Sequence, residues 1–192
     1  MSDALDRRMA FLAEADRLKG VERATHALGG ARAENSAEHS WHVALYALIL
    51  SDHAEAPVDR DRVVRMLLLH DLVEIDAGDA PIFADGDAGA LAESEAAAAD
   101  RIFGLLPAAQ ATEMRALWEE FEAAETPEAR FAKAIDRFQP PNQNLAADGG
   151  SWRSYGVTED TFERRVAQVI TRGAPSLIEW LWPKVRAVLN RL

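Results

Sequence analysis

The sequence has no cysteine among its 192 residues, which excludes disulfides and thiolate metal sites. No apolar run approaches the roughly 18 residues a membrane-spanning helix needs. Positive charge is scarce: 21 lysines and arginines stand against 32 aspartates and glutamates, a net charge of −11. With no dense basic cluster, extended nucleic acid and anionic membrane surfaces are poor partners. A small phosphorylated compound stays compatible with that charge, provided a metal ion and a few arginines offset the repulsion. The opening stretch "MSDALDRRMAFLAEADRL" lacks the apolar centre of a signal peptide, so the expected location is the cytoplasm. Alternating apolar–polar runs, internal repeats and long linkers are missing as well.

What the chain does have is helical pattern. Hydrophobic residues make up 48% and charged residues 28%, an ordinary globular balance. Leu5, Met9, Leu12 and Leu18 have amphipathic spacing. Ser36 is positioned to cap a helix with an apolar face of Val43, Leu45, Tyr46, Ile49 and Leu50. Asp59 precedes another over Val63 to Ile75, and glycines and Pro81 then mark a loop over about 76–88. An alanine- and glutamate-rich helix ends before Pro107, and another runs from about Ala108 to Ala124. Thr126-Pro127 starts a sixth, expected to stop at Pro140-Pro141. The Gly- and Asn-rich segment after it reads as loop, with Trp152 and Tyr155 either closing over a ligand or anchoring the loop. Thr158 caps a seventh helix, and the terminal amphipathic helix is interrupted or shifted at Pro183. The expected fold is all-α, a single multi-helix domain over 1–192, with C-terminal helices at about 158–192.

The stretch "RMLLLHDLVEIDAGD" carries the chemical signal. The apolar run Met66, Leu67, Leu68, Leu69 ends in His70, Asp71, Glu74, Asp76 and Asp79. Ionisable groups beside deep core are costly to bury unless paired or bound to a metal. On a helix His70 and Glu74 share a face, and His70 and Asp71 point about 100° apart yet can converge on one ion in the adjoining groove. Imidazole with carboxylate suits Mn²⁺, Co²⁺, Fe²⁺ or Zn²⁺, and Mg²⁺ less well. The alternative is a satisfied core histidine beside solvated acids. Upstream, "NSAEHSWH" adds His39 and His42, the latter better suited to packing or support. Downstream, "FAKAIDRFQ" sets Asp136 among Phe131, Ala132, Ala134, Ile135 and Phe138, where pairing with Lys133 or Arg137 is the alternative to metal ligation.

In that order, "ENSAEHSWH", "LLLHDLVEIDAGDAP" and "AKAIDRFQP" resemble the HD-domain metal-dependent phosphohydrolase superfamily, nearest the branch that includes 5′-deoxynucleotidases. The resemblance implies an HD-domain fold with a metal-site core over about 20–145. It further implies that His39, His70, Asp71 and Asp136 hold one divalent ion. It assigns Glu74 to the attacking water and Asp79 to the substrate sugar, as the catalytic pair. Arg23, Arg32, Lys133 and Arg137 are the candidate substrate-binding residues. The stretch "VERATHALGGARAEN" departs from that branch: it lacks the tryptophan of the branch's Arg-Trp pair, His26 stands at a commonly basic position, and Arg23 can substitute for the arginine. The expected activity is phosphomonoester hydrolysis on (deoxy)nucleoside 5′-monophosphates. A phosphodiesterase, a triphosphate hydrolase and a non-catalytic metal-containing binding module are the rivals. The resemblance and the apolar terminal helix also suggest a homodimer.

Overall fold

The computed structural model describes residues 2–28 and 32–192. Helix α1 (Ser2–Ala15) forms where the amphipathic spacing predicts, yet Leu5, Met9 and Leu12 face outward. It is held instead by Phe11 against Phe103 and by Arg7, which donates to the carbonyls of Gly104 (2.7 Å) and Leu106 (2.7 Å) at the end of a later helix. Two short strands follow, which the sequence pattern did not predict. β1 (Glu22–His26) and β2 (Ala33–Asn35) pair antiparallel, with an irregular register between Glu22↔Asn35 and His26↔Ala33. Five polar-rich residues are too few to display alternation, and the pairing is what places Arg23, Thr25 and Glu34 beside the helices.

Helix α2 (Ser36–Leu50) is capped by Asn35, one residue earlier than expected. The Asn35 side chain accepts from the Glu38 amide (3.0 Å), and the Glu38 carboxylate accepts from the Asn35 amide (3.3 Å). That leaves the Ser36 hydroxyl free for other work. The buried face of α2 is His39, Ser40, Val43, Ala44 and Ala47, while Leu45 and Ile49, expected inside, are exposed. The small residues let α2 lie close to its neighbours. Helix α3 (Arg60–Leu69) starts at Asp59, whose carboxylate accepts from the Asp61 and Arg62 amides. It does not run on to Ile75 as one α-helix: His70–Val73 tighten into a 3₁₀ turn before the short α4 (Glu74–Ala77). Helices α5 (Ala88–Phe103) and α6 (Ala108–Ala123) pack behind this bend.

Helix α7 (Pro127–Ala146), capped by Thr126, passes straight through Pro140-Pro141, against expectation. The two prolines lack the amides that would bond the Asp136 and Arg137 carbonyls. Asn142 and Asn144 add side-chain bonds to the Phe138 and Pro140 carbonyls across the same stretch. The segment expected as loop continues as the short α8 (Ser151–Ser154). It turns at Gly150 (φ 43°), where an added Cβ would lie 2.5 Å from Asn144 Oδ1. Helix α9 (Glu159–Phe162), capped by Thr158, leads through a π-type turn at Glu163–Ala167 into α10 (Gln168–Gly173). Helix α11 (Pro175–Leu189) contains Pro183 without ending there.

Helix α7 is the hub, touching α2, α3, α6, α10, α11 and β1. Phe131 and Ile135 pack with Val43, Met66, Leu67, Ile170 and Leu181, each such burial contributing about 1.5–3 kcal/mol. A second cluster (Leu18, Leu72, Ile102, Phe103, Trp118) meets the first at Leu69 and Met114. The architecture is all-α apart from the hairpin. Among the described residues no helix is long and apolar enough to cross a membrane.

Candidate functional site

Three helical segments deliver the ionisable residues to one place. His39 comes from the first turn of α2, His70 and Asp71 from the 3₁₀ turn, and Asp136 from the middle of α7. The change to 3₁₀ geometry matters because residues three apart then eclipse. Asp71 and Glu74 are thereby brought to the same side, facing a cavity of about 310 Å³.

The two imidazoles are oriented alike. His70 Nδ1 donates to the Leu67 carbonyl (2.8 Å), and His39 Nδ1 donates to Gln139 Oε1 (3.1 Å). Each Nε2 therefore turns a lone pair inward. His39 Nε2 lies 3.0 Å from Asp136 Oδ1, and His70 Nε2 lies 3.0 Å from Asp71 Oδ1 and 3.7 Å from Asp136 Oδ1. His39 Nε2 to Asp71 Oδ2 is 4.0 Å. Donor atoms each about 2.1 Å from one ion lie roughly 3.0–4.2 Å apart, so these separations suit a shared cation. His70 Nε2 is also buried, and in the neutral ring it meets only acceptors and has no hydrogen-bond donor to satisfy it. Lone pairs directed at carboxylates repel unless a cation stands between them, so the donor set fits a divalent metal ion. His39, His70 and Asp136 have ligand atoms mutually within 4.8 Å, and Asp71 completes the set through His70.

Both aspartates bridge a histidine and an arginine. Asp71 Oδ2 accepts from Arg23 Nη1 (3.1 Å), and Asp136 Oδ2 accepts from Arg137 Nη1 (2.8 Å). Burial opposes the charged His70 imidazolium, but the charges of Asp71 and Asp136 win and raise its pKa to about 10. Burial likewise disfavours the Asp71 carboxylate, yet His70 and Arg23 lower it to about 2, and Arg137 with the histidines holds Asp136 well below the usual carboxylate range. Without metal, a proton on His70 takes the place of the cation.

Glu74 has the opposite character. Burial and then the Asp71 charge push its pKa up to about 8, despite Arg23 and a hydrogen bond from Ser36 Oγ to Oε2 (2.5 Å). Burial also raises Asp79, which Gly78 (φ 78°) turns towards Arg23 at 3.5 Å. Arg23 is buried among Asp71, Glu74 and Asp79, and their charges raise its pKa against desolvation. Lys133 and Arg137, one turn apart on α7, line the same cavity, with Lys133 paired to Glu122 (2.9 Å).

The structure thus brings together every candidate metal, catalytic and substrate-binding residue except Arg32, while Asp76 of the same acidic stretch turns away to pair with Arg101. The Arg32 side chain is exposed and paired with Glu38, outside the cavity lining, because the cap of α2 holds it there. Trp152 is buried against Phe162 and anchors its segment, and both Trp152 and Tyr155 line the cavity. Glu34, Ser36, Gln139 and Gln143 escaped the sequence pattern. A usable signal was present for two of them: Gln139 and Gln143 follow Asp136 at three and seven residues, on one face of α7.

A family model described as HD domain matches residues 15–178. The 5′-deoxynucleotidase HDDC2 of Xenopus laevis is 35% identical over 107 residues, 54% of this chain and 50% of that protein. The human 5′-deoxynucleotidase HDDC2 is 31% identical over 106 residues, 55% of this chain and 50% of that protein. The chain spans about half the length of these curated relatives. The crystal structure of a predicted metal-dependent phosphohydrolase from Magnetospirillum magnetotacticum superposes with a TM-score of 0.91 at 43% identity, covering 98% of this chain and 97% of that one. A protein from Pyrococcus horikoshii, at 21% identity and a TM-score of 0.64 over 95% of this chain and 98% of its own, shares the fold.

Proposed function

This chain belongs to the HD-domain family, and from that premise we propose that it is a metal-dependent phosphohydrolase releasing phosphate from (deoxy)nucleoside 5′-monophosphates. The observation that carries this reading is the pair of inward imidazole lone pairs facing Asp71 and Asp136, with Glu74 and Arg23 alongside. His39, His70, Asp71 and Asp136 would hold one ion, drawn from Mn²⁺, Co²⁺, Fe²⁺, Zn²⁺ and Mg²⁺. When bound, the ion supplies a Lewis acid that polarises the phosphoryl oxygen and acidifies water.

The side chains do the rest. Ser36 fixes one oxygen of Glu74, leaving Oε1 beside Arg23 at 3.7 Å. Glu74 takes a proton from the attacking water as its oxygen bonds to phosphorus and the P–O bond to the sugar breaks. The same carboxyl then returns that proton, relayed by a second water, to the departing sugar oxygen, yielding an alcohol and inorganic phosphate. Arg23, Lys133 and Arg137 offset the phosphate charge, the arginines offering bidentate contact. Asp79 accepts a hydrogen bond from a sugar hydroxyl. Arg32 has no part in this arrangement.

The test is phosphate release by chelator-stripped protein, with Mn²⁺, Co²⁺ or Mg²⁺ added back, from nucleoside and deoxynucleoside monophosphates, sugar phosphates, diesters and triphosphates. Metal-dependent release from the monophosphates, abolished in Asp71→Asn, is the expected result. Release confined to diesters or triphosphates, or none despite tight metal binding, overturns the assignment.

We also propose that residues 1–192 act as one domain, in the cytoplasm, as a homodimer. The junction of the two apolar clusters at Leu69 and Met114 supports the first point. The exposed stripe Trp41, Leu45, Leu48 and Ile49 on α2 supports the last, and Ile49→Glu should shift the sedimenting species to monomer.

A further inference from the structure

We propose that Glu34 is a positioning residue for the metal site: its carboxylate fixes the side-chain amide of Gln139, and that amide fixes which nitrogen of His39 faces the ion. The inference rests on the metal-binding half of the function proposed above, and on none of its substrate assignments.

Glu34 is 3% exposed and lies on β2, outside the donor set. A carboxylate buried so deeply must be met by donors. Gln143 Nε2 donates to Oε1 at 2.6 Å and Gln139 Nε2 to the same oxygen at 3.1 Å. Thr25 Oγ1 donates to Oε2 at 3.4 Å, with Arg23 Nε 3.9 Å and His39 Nδ1 3.6 Å from that oxygen. All these groups come from the hairpin, α2 and α7, so the carboxylate stands where the three elements meet.

The Gln139 amide has two orientations differing by exchange of its oxygen and nitrogen. Its nitrogen meets Glu34 Oε1, which can only accept, and His42 Nδ1, both at 3.1 Å. Its oxygen meets His39 Nδ1, also at 3.1 Å. The flipped amide would set its oxygen against the Glu34 carboxylate, acceptor against acceptor. Glu34 therefore selects one orientation. In that orientation the oxygen facing His39 only accepts, so Nδ1 must carry the hydrogen and Nε2 the lone pair directed at the ion. A residue two bonded contacts away thus sets the tautomer of a metal ligand, which packing alone would not require.

Outer hydrogen-bond partners of ligating histidines typically change metal affinity 10–100-fold when removed. Chelator-stripped protein titrated with Co²⁺, read by calorimetry and by the visible absorption of the bound ion, measures this directly. Glu34→Gln and Gln139→Met should each weaken Co²⁺ binding by about 10–100-fold. The exchanged pair, Glu34→Gln with Gln139→Glu, restores an acceptor for His39 Nδ1 and a donor to hold it. It should recover most of the lost affinity, whereas a purely structural role gives no such recovery.

Unchanged Co²⁺ affinity in Glu34→Gln, or an exchanged pair no better than the single variants, overturns the proposal. If Glu34→Gln does not fold, Gln139→Met decides, since it keeps the buried carboxylate, still met by Gln143, and removes the amide through which Glu34 acts on His39. Wild-type protein that binds no Co²⁺ overturns this proposal together with the metal site. Absence of nucleotide hydrolysis, with Co²⁺ affinity dependent on Glu34, refutes the substrate assignment alone.

Discussion

Loading the site with metal near neutral pH must expel a proton, and the structure says from where. His70 Nδ1 is committed to the Leu67 carbonyl, so a proton on the charged imidazole sits on Nε2, where the ion must bind. With that pKa raised to about 10, nearly every metal-free molecule carries the proton at pH 7. The sign follows: metal and proton compete, so affinity rises with pH, about tenfold per unit while His70 remains the titrating group. Between pH 10 and pH 7 the competing proton weakens binding by about a thousandfold. Glu74, raised to about 8 without metal, adds a second and smaller release below that pH, because a nearby cation favours its charged form. The assay is calorimetric titration of stripped protein with Mn²⁺ at pH 7 in buffers of different ionisation enthalpy. The slope should report at least one proton released per ion. A slope of zero would refute the placement of His70 Nε2 in the donor set.

Four further outcomes follow from the same geometry. Glu74→Ala should keep metal affinity and lose about 10²–10⁴-fold in turnover, measured as phosphate release at saturating metal. Arg23→Met leaves Asp71, Glu74 and Asp79 without their shared counter-ion and should lower metal-free stability by about 3 kcal/mol in denaturant titration. Stripped protein should melt at lower temperature as pH rises from 5 to 9, since both relevant groups are raised in the fold. Stability from Glu74 is complete below about 4.5 and lost through about 8, and that from His70 is complete below about 6.5 and lost through about 10. Bound metal should flatten that slope. Gly150→Ala, forced to φ 43° with its Cβ 2.5 Å from Asn144 Oδ1, should cost about 1–3 kcal/mol by thermal melts.

The ligand residues were legible because histidine and carboxylate beside apolar runs are costly without a reason, and because three such places recur in one order. The helices were legible from caps and periodicity at Asp59, Thr126 and Thr158. The 3₁₀ turn at His70–Val73 was not, because its residues suit an α-helix equally well. The hairpin was too short to alternate visibly. Arg32 misled because nearness in sequence to His39 says nothing about direction, and Glu38 was the closer partner. Pro140-Pro141 misled because tertiary packing around α7 outweighs two missing backbone bonds. Glu34 carried no local signal, since its partners on α7 lie 105 and 109 residues away.

The central place of α7 has a consequence for how the molecule opens. A helix in contact with α2, α3, α6, α10, α11 and β1 cannot detach without dismantling most of the fold. Amides of Ala132–Phe138, on either side of Asp136, should therefore exchange with solvent deuterium only through global unfolding. β1 and β2 pair only with each other among the described strands, so the hairpin bearing Arg23 and Glu34 should exchange through smaller excursions. The same carboxylate that ties the hairpin to Gln139 thus joins the slowest-exchanging part of the chain to one of the faster parts. Metal loading, by tightening that seam, should slow exchange in the hairpin more than in α7.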